Sequence, residues 1–240
     1  MAFQISLSSN SSEIIRDYKE GIPLDSPYEV GLKHFVFWNT IYNVTSKNNT
    51  LLLIQEVLPG SENSIRIDHK VTIPEGVYEL DDLITVFTDN MSMRESRTSI
   101  SLHRNTMKIK ISSDWIIDFT CDNCIGSILG FSKKTIPATV VTYSDLPINI
   151  CSINTVKISC NLIRSNIENL KRNVNIIYDF PLDLSKIGSN IIVAPNPICY
   201  FRVSADKIFE LVIKITDQDN NLIDFRGEQI NLTLDFRPIR

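Results

Sequence analysis

The chain has 240 residues, of which 43% are hydrophobic and 22% are charged, with only 8 glycines and 10 prolines. This composition is typical of a globular protein and excludes collagen-like and disordered chains. The formal net charge is -4, and the lysines and arginines are scattered. A nucleic-acid-binding protein shows a clustered basic face, so we expect no direct nucleic-acid site. No apolar run approaches the roughly 20 residues that cross a bilayer, so we expect no membrane-spanning segment.

The first half of the chain alternates strand patterns with one helical pattern. Residues 2–8 alternate weakly and predict an initial strand, a polar stretch covers residues 10–25, and the apolar, aromatic residues 28–41 predict a longer strand. Residues 65–73 alternate with period two, which predicts a strand with His69 on its inward face. Residues 79–90 change to spacings of three and four, which predicts a short helix.

Short strands follow this helix. We expect them at residues 100–102, 107–111, 115–119, 156–162, 175–180 and 190–203. Residues 123–130 predict a second short helix that ends at Gly130. The segment from Ser132 to Leu146 is a weak candidate for an internal boundary.

The C-terminal part has the clearest pattern in the chain. Apolar Phe209, Leu211, Ile213 and Ile215 alternate with polar residues, and the alternation resumes over residues 230–236 after a polar turn at 217–221. This pattern predicts antiparallel strands with one buried face, and we expect the chain to end inside its sheet. In all, about a dozen short strands with regularly spaced turns are typical of all-β sandwiches and barrels.

The cysteines and histidines do not form a recognisable site. Five cysteines without a secretory signal indicate reduced thiols. Cys121 and Cys124 have the C-x-x-C spacing of half a zinc site, but the sequence has no second pair, so we interpret them as small buried thiols. His34, His69 and His103 share no metal-ligand spacing.

The remaining motifs also argue against catalysis. The acidic segment 217–228 fits part of a calcium-loop template, but Leu222 occupies the position where that loop needs glycine, so we predict a turn. The sequence contains no G-x-S-x-G, no glycine-rich phosphate loop and no H-E-x-x-H. We therefore predict no cofactor, no metal and no enzymatic activity.

Six short motifs, in this order, resemble those of capsid-type proteins encoded by Polinton/Maverick elements and adintovirus-like viruses of animals. They lie at residues 28–32 (YEVGL), 38–44 (WNTIYNV), 73–83 (IPEGVYELDDL), 125–131 (IGSILGF), 144–150 (SDLPINI) and 217–228 (DQDNNLIDFRGE). The resemblance runs along nearly the whole chain. Residues 164–174 and 182–190 depart from the family pattern.

The resemblance implies a jelly-roll β-sandwich with two short helices that cover its edges or open ends. We expect residues 1–240 to form a single elaborated jelly-roll domain, with two small β modules, 1–131 and 147–240, as the alternative. The length fits a penton-like vertex protein better than a major capsid protein. The implied function is a structural capsid protein that self-assembles into a homopentamer, contacts other capsid proteins and resides in the virion after assembly in the host cytoplasm or nucleus.

The same resemblance selects eight residues as structural or interface candidates. They are Gly76, Tyr78, Gly130, Phe131, Asp224, Arg226, Gly227 and Glu228. Gly227 would permit a bulge or tight bend. Arg226 would pair with a carboxylate at a strand end or subunit contact, or would be a solvated turn residue.

Other functions remain open from the residues alone. One is a β-sandwich binding module that recognises a glycan or a host protein through its loops. Another is a jelly-roll major capsid subunit, which would form a trimer. A third is a viral gene domesticated by its host, in which the fold persists without assembly.

Overall fold

A computed structural model describes residues 1–57, 65–94, 96–151, 153–163, 175–182 and 188–239. The chain divides into two compact units. The first combines Met1–Ile41 with Ile153–Arg240, and the second is Tyr42–Ser152. The second unit is therefore inserted between two parts of the first. Whether the chain behaves as one domain or as two stays a prediction. The internal boundaries of the units, after Ile41 and after Ser152, differ from those of the two predicted β modules.

The described residues form β-strands, one α-helix and one 3-10 turn. The strands are β1 (Phe3–Ser9), β2 (Glu13–Pro23), β3 (Tyr28–Trp38), β4 (Thr50–Val57), β5 (Ile65–Thr72), β6 (Ser99–His103), β7 (Lys108–Ser112), β8 (Ile116–Asp118), β9 (Thr135–Ile136), β10 (Thr142–Tyr143), β11 (Thr155–Cys160), β12 (Ile176–Pro181), β13 (Asn190–Val193), β14 (Tyr200–Arg202), β15 (Lys207–Thr216) and β16 (Ile230–Pro238). Helix α1 is Leu80–Ser92, and the 3-10 turn is Ile125–Ser127.

Two antiparallel sheets form the first unit. In one sheet β16 lies between β1 and β3, and both β13 and β14 pair with the remaining edge of β3. The other sheet has the order β12, β11, β15, β2. Both sheets point alternating apolar side chains into one core, which includes Phe35 of β3, Ile158 of β11 and Ile213 of β15. The unit is therefore a β-sandwich.

The second unit has its own core between two further sheets. One has the order β10, β7, β6, and the other has the order β5, β4, β8, β9. Helix α1 buries Leu83, Phe87 and Met91, which are four residues apart and share one face. Glu79 and Asp82 form a capping box at its first turn, in which each side chain accepts a backbone N–H of the other residue.

The predictions of an all-β fold and of a helix over residues 79–90 are confirmed. The second helix, predicted over residues 123–130, is only a single 3-10 turn, Ile125–Ser127. Cys124 Sγ accepts the N–H of Gly126 at 3.4 Å, and Gly130 adopts a φ of 81°. The left-handed backbone at Gly130 ends helical structure at once.

The polar stretch over residues 10–25 contains a strand that the sequence pattern missed. Strand β2 forms the edge of its sheet beside β15. Most of its side chains are exposed or half-buried on both faces, and Ile14 is its one buried residue. A strand of this kind gives no period-two hydrophobic signal.

The predicted orientation of Phe209 is wrong. The ladder between β15 and β2 shifts register between Ile208 and Glu210, so Ile208 is buried and Phe209 is 56% exposed. At this shift Ile208 pairs with Ile22 and Glu210 pairs with Asp17, so the extra residues lie on β2. Phe209 and Glu210 are both exposed, which interrupts the period-two alternation of β15. Leu211, Ile213 and Ile215 beyond the bulge are buried as predicted.

The two C-terminal strands are confirmed, but they do not pair with each other. Strand β15 pairs with β11 and β2, whereas β16 pairs with β1 and β3. Residues 217–229 therefore cross from one sheet of the sandwich to the other. Each strand buries one face because both sheets enclose the same core.

The strand predicted over residues 65–73 is confirmed, and its burial is uneven. Ile65 and Ile67 are exposed, while Val71 is buried. Strand β8 pairs only with the part of β4 from Leu52 to Ile54, so the β4–β5 hairpin extends beyond its neighbour. The His69 ring is half-buried and stacks on Trp115 with 4.8 Å between ring centroids.

Candidate functional site

The candidate residues Gly76 and Tyr78 lie where two segments of the second unit are hydrogen-bonded to each other. The Asn43 side chain accepts the N–H of Tyr78 at 2.9 Å and donates to its carbonyl at 2.8 Å. The backbones of Val44 and Gly76 exchange hydrogen bonds of 3.0 and 3.1 Å. Tyr78 Oη donates to the carbonyl of Pro74 at 2.9 Å. Gly76 and Tyr78 therefore tie the segment before α1 to the segment before β4, and two of the motifs meet in space.

The candidate residues Gly130 and Phe131 lie where the motif at residues 125–131 contacts the motif at residues 144–150, in the same unit. The N–H of Leu146 donates to the carbonyl of Gly130 at 2.9 Å, and the N–H of Asn149 donates to Ile128 at 2.9 Å. A Cβ on Gly130 would lie 2.2 Å from the Leu146 carbonyl oxygen, so only glycine fits this approach. Phe131 is buried and stacks on Phe119 at 4.6 Å. Gly130 and Phe131 therefore hold residues 144–150 against the core.

A polar clamp reinforces this junction. Asp145 accepts the N–H and the hydroxyl of Ser132 at 2.9 and 2.8 Å, and Lys134 Nζ lies 2.7 Å from its other oxygen. The Lys134 bond, followed by the Ser132 bonds, holds the pKa of Asp145 well below its usual range. The ionised carboxylate is therefore the form that stabilises the folded chain.

Acid should weaken this clamp. Because the pKa of Asp145 is lower in the folded than in the unfolded chain, its contribution is complete above an ordinary carboxyl pKa of about 4 and is lost as pH falls further. We expect wild type to melt higher than Asp145→Asn by a constant margin from neutral pH down to about pH 5, and the margin should shrink below about pH 4. Melting curves by circular dichroism across this range check it. A margin that does not change with pH would contradict the assigned role of the carboxylate.

The remaining candidates, Asp224, Arg226, Gly227 and Glu228, form a tight turn in the first unit. Asp224 accepts the N–H of Arg226 at 2.8 Å and pairs with its guanidinium at 3.0 Å. Arg226 and Gly227 have φ values of 58° and 78°, and the N–H of Glu228 donates to the Phe225 carbonyl at 3.0 Å. Phe225 is buried. The turn anchors one aromatic ring in the core, and a subunit contact of Arg226 stays a prediction.

The sequence offered partial matches to a zinc site at Cys121 and Cys124 and to a calcium loop at residues 217–228. In the described part of the chain, no group of three or more His, Cys, Asp or Glu residues could hold a metal ion. Asp217 accepts the N–H groups of Asp219 and Asn221 at 2.8 and 2.9 Å, which is the geometry of an Asx turn. Burial raises the pKa of Cys124 to about 12, and the Gly126 N–H opposes this shift. The thiol is therefore protonated at neutral pH. All five cysteines are free.

An apolar ribbon lies along one edge of the second unit. It consists of Met107, Val140, Val141, Tyr143 and Leu146, all of which are exposed, and Leu146 reaches 67%. Residues 139–148 run beside β7, since Tyr143 is opposite Lys110 and the N–H of Ile148 donates to the Met107 carbonyl at 2.7 Å. Strand β10 is the outermost strand of this sheet. A row of exposed apolar side chains along a sheet edge is typical of an interaction surface.

Cations border this ribbon. Arg104 and Lys110 are exposed and Lys108 is half-buried beside β10. None of these three side chains makes an ion pair with another described residue. The outer face of this sheet is therefore apolar at its β10 edge and positively charged next to it.

Helix α1 carries the opposite charge. Glu79, Asp81, Asp82 and Asp89 are exposed, and the helix has no basic residue in its last turn. Met93, just after the helix, is 81% exposed. Because Asp82, Asp89 and Met93 are seven and four residues apart, they share one face of the helix. We call this face the acidic helix face.

A polar network on the first unit is a further feature that sequence reasoning missed. The Arg237 guanidinium lies 3.5 Å from the Tyr200 ring centre and pairs with Glu29. Tyr200 Oη donates to Asp235 at 2.8 Å, and burial followed by this bond raises the pKa of Tyr200. These residues come from three strands that pair only in the folded sheet. Their separation in sequence left no local signal.

No protein-family model and no curated protein matches this sequence. Among solved structures, the chain is similar to the crystal structure of the mavirus penton protein, with a TM-score of 0.52, 12% sequence identity and 100% of both chains covered. The fold is similar to that of a viral penton protein. The predicted jelly-roll-like fold class is thereby confirmed. The D2–D3 domains of the flagellar cap protein FliD from Escherichia coli give a TM-score of only 0.16 at 11% identity and 100% coverage of both chains, which supports no argument.

The hydrogen bonds of this chain also show where several of the sequence motifs lie. Four of the six motifs meet in pairs, through the Asn43 side chain and the Tyr78 backbone and through the backbones of Gly130 and Leu146. The exposed ribbon was missed because residues 132–146 carried only a weak boundary signal. The adjacent Val140 and Val141 were the sequence clue to this segment, since two consecutive β-branched residues favour extended structure.

The described helix of this chain is too short and too polar to cross a membrane.

Proposed function

We propose that this chain is a structural component of a viral capsid, a penton-like vertex protein that self-assembles into a homopentamer. The observation that carries the proposal is the similarity to the mavirus penton protein, which extends over 100% of both chains. Similarity over a whole chain, including an inserted second unit, is more specific than a shared sandwich alone, because β-sandwiches serve many unrelated functions.

The exposed surfaces support self-assembly. A closed ring of identical subunits needs two different, complementary patches on each copy. The second unit has an apolar ribbon with adjacent cations and a separate acidic helix face. The proposed role is mechanical and requires no catalysis.

The six motifs support a place among the capsid proteins of Polinton/Maverick elements and adintovirus-like viruses. Four of them meet in pairs at hydrogen-bonded junctions, where Asn43 bonds to Tyr78 and where Gly130 contacts Leu146. Residues at such junctions are constrained by packing, which accounts for short motifs in an otherwise divergent chain. On this proposal the protein resides in the virion, contacts other capsid proteins and assembles in the host cytoplasm or nucleus.

The mass of the purified protein in solution tests this proposal. Light scattering after size exclusion, at physiological salt, is expected to give a mass near five subunits. A trimer would favour a major capsid subunit. A monomer at high concentration would contradict self-assembly and would favour a binding module for a glycan or a host protein.

A further inference from the structure

The apolar ribbon and the acidic helix face lie on different sides of the second unit. The ribbon follows β10, the outermost strand on one edge of the sheet, whereas α1 packs beside β6 at the other edge. Strand β7 separates them, so two strand spacings, about 10 Å, lie between β10 and β6. The two surfaces of one copy therefore face different directions and are available to different neighbours.

The charges of the two surfaces are complementary. Residues 99–112 contain Arg104, Lys108 and Lys110 and no acidic residue. The exposed Asp145 within the ribbon segment is paired with Lys134, so these three cations set the net charge there. Residues 75–93 contain five acidic residues and no basic residue. Such complementary patches steer subunits together and fix their register.

The apolar ribbon and the acidic helix face both also expose apolar side chains. The ribbon exposes branched and aromatic side chains, and the acidic helix face ends at the exposed Met93. Methionine adapts to irregular apolar surfaces and is common where proteins bind one another. A contact between the two surfaces would remove apolar groups from water on both copies while it pairs their charges.

We propose that the apolar ribbon with Lys108 and Lys110 binds the acidic helix face of α1 on a second copy of this chain. The contact is heterologous, because each copy presents the ribbon to one neighbour and the helix to the other. Repetition of such a contact closes into a ring when the rotation per subunit divides a full turn. This inference rests on the proposed function and assigns the surfaces through which the penton-like ring would form.

Charge reversal tests the contact directly. The variant Lys108→Glu with Lys110→Glu makes the ribbon side acidic. The variant Asp81→Lys with Asp89→Lys makes the exposed side of helix α1 basic and leaves the capping box of Glu79 and Asp82 in place. Each variant places like charges opposite each other, so we expect each to weaken self-association by about a hundredfold or more. The variant with all four substitutions restores opposite charges at every contact, and we expect it to assemble as the wild type does.

A control variant separates the effect of the contact from the effect of net charge, and melting curves separate it from the effect of unfolding. Lys19→Glu with Lys207→Glu makes the same change in net charge as the ribbon variant at exposed positions of the first unit, and it should leave assembly unchanged. Melting curves report whether each variant is folded. The measurement is the mass distribution by light scattering over a range of protein concentrations at low and high salt.

The outcomes distinguish this inference from the proposed function. A pentameric wild type whose assembly survives both paired reversals would overturn the contact and leave the penton-like function standing. Loss of assembly without recovery in the fourfold variant, with all variants folded, would also overturn it. A monomeric wild type would contradict the contact and the proposed self-assembly together. Loss in each paired variant with recovery in the fourfold variant is the expected result.

Discussion

A Gly130→Ala substitution is expected to lower the free energy of unfolding by about 3 kcal/mol and the melting temperature by roughly 6–12 °C. The φ of 81° is left-handed, which costs an alanine about 1 kcal/mol. The new Cβ would also lie 2.2 Å from the Leu146 carbonyl oxygen and 2.9 Å from that of Pro147, so the backbone of that segment must shift. Such overpacking costs about 1–3 kcal/mol more. Thermal melting followed by circular dichroism measures the change.

Gly227→Ala is the matched control for this prediction. Gly227 has a similar φ of 78°, and a Cβ there would meet no atom within 4 Å. Only the backbone cost of about 1 kcal/mol should appear, which corresponds to roughly 2–4 °C. If both variants lost the same stability, the close approach of Gly130 to Leu146 would carry no energetic weight.

Period-two alternation predicted most of the buried faces. Leu211, Ile213 and Ile215 on β15 and Leu232 and Leu234 on β16 are all buried. In a sandwich the solvent contacts one face of each sheet and the core contacts the other, so the alternation of hydrophobic residues reports burial directly. The helix α1 was predictable for the same reason, because its apolar residues follow a helical period.

The neighbours of each strand could not be predicted in this way. Alternation tells which face is buried but not which strand lies alongside, so β15 and β16 were not expected in different sheets. The pairing of β1 with β16 joins residues more than two hundred positions apart and has no local signal. A bulge is equally invisible, and the one between Ile208 and Glu210 reverses the orientation of Phe209.

The resemblance to a capsid-protein family identified the candidate residues, but the contacts of these residues could be seen only in the folded structure. The sequence gives no reason for Asn43 to bond both backbone groups of Tyr78, because the two residues are 35 positions apart. The ribbon depends on the sheet order as well, since Tyr143 is exposed at an edge that only the pairing with Lys110 defines. Assembly surfaces are combinations of edges and faces, so they follow topology more than local pattern.

A Phe37→Ala substitution is expected to destabilise the first unit by about 4 kcal/mol, with a drop in melting temperature of roughly 10 °C. Phe37 is 0% exposed, and its ring lies 5.0 Å from Phe35, 5.3 Å from Phe225 and 6.2 Å from Phe180. Truncation removes these contacts and leaves a cavity that rigid strands from both sheets cannot fill. Because Phe225 precedes Arg226, the loss also loosens the anchor of the tight turn at residues 224–228.

Phe209→Ala provides the comparison for Phe37→Ala, with the same atoms removed from a neighbouring sheet. Phe209 is 56% exposed after the bulge, and we expect a loss within about 1 kcal/mol. Urea unfolding curves of the two variants, fitted for midpoint and slope, measure both effects. Equal losses would place Phe209 in the core, where the alternation first predicted it, and would contradict the bulge between Ile208 and Glu210. A small loss at Phe209 with a large one at Phe37 would assign the two faces of the sandwich as the structure describes them.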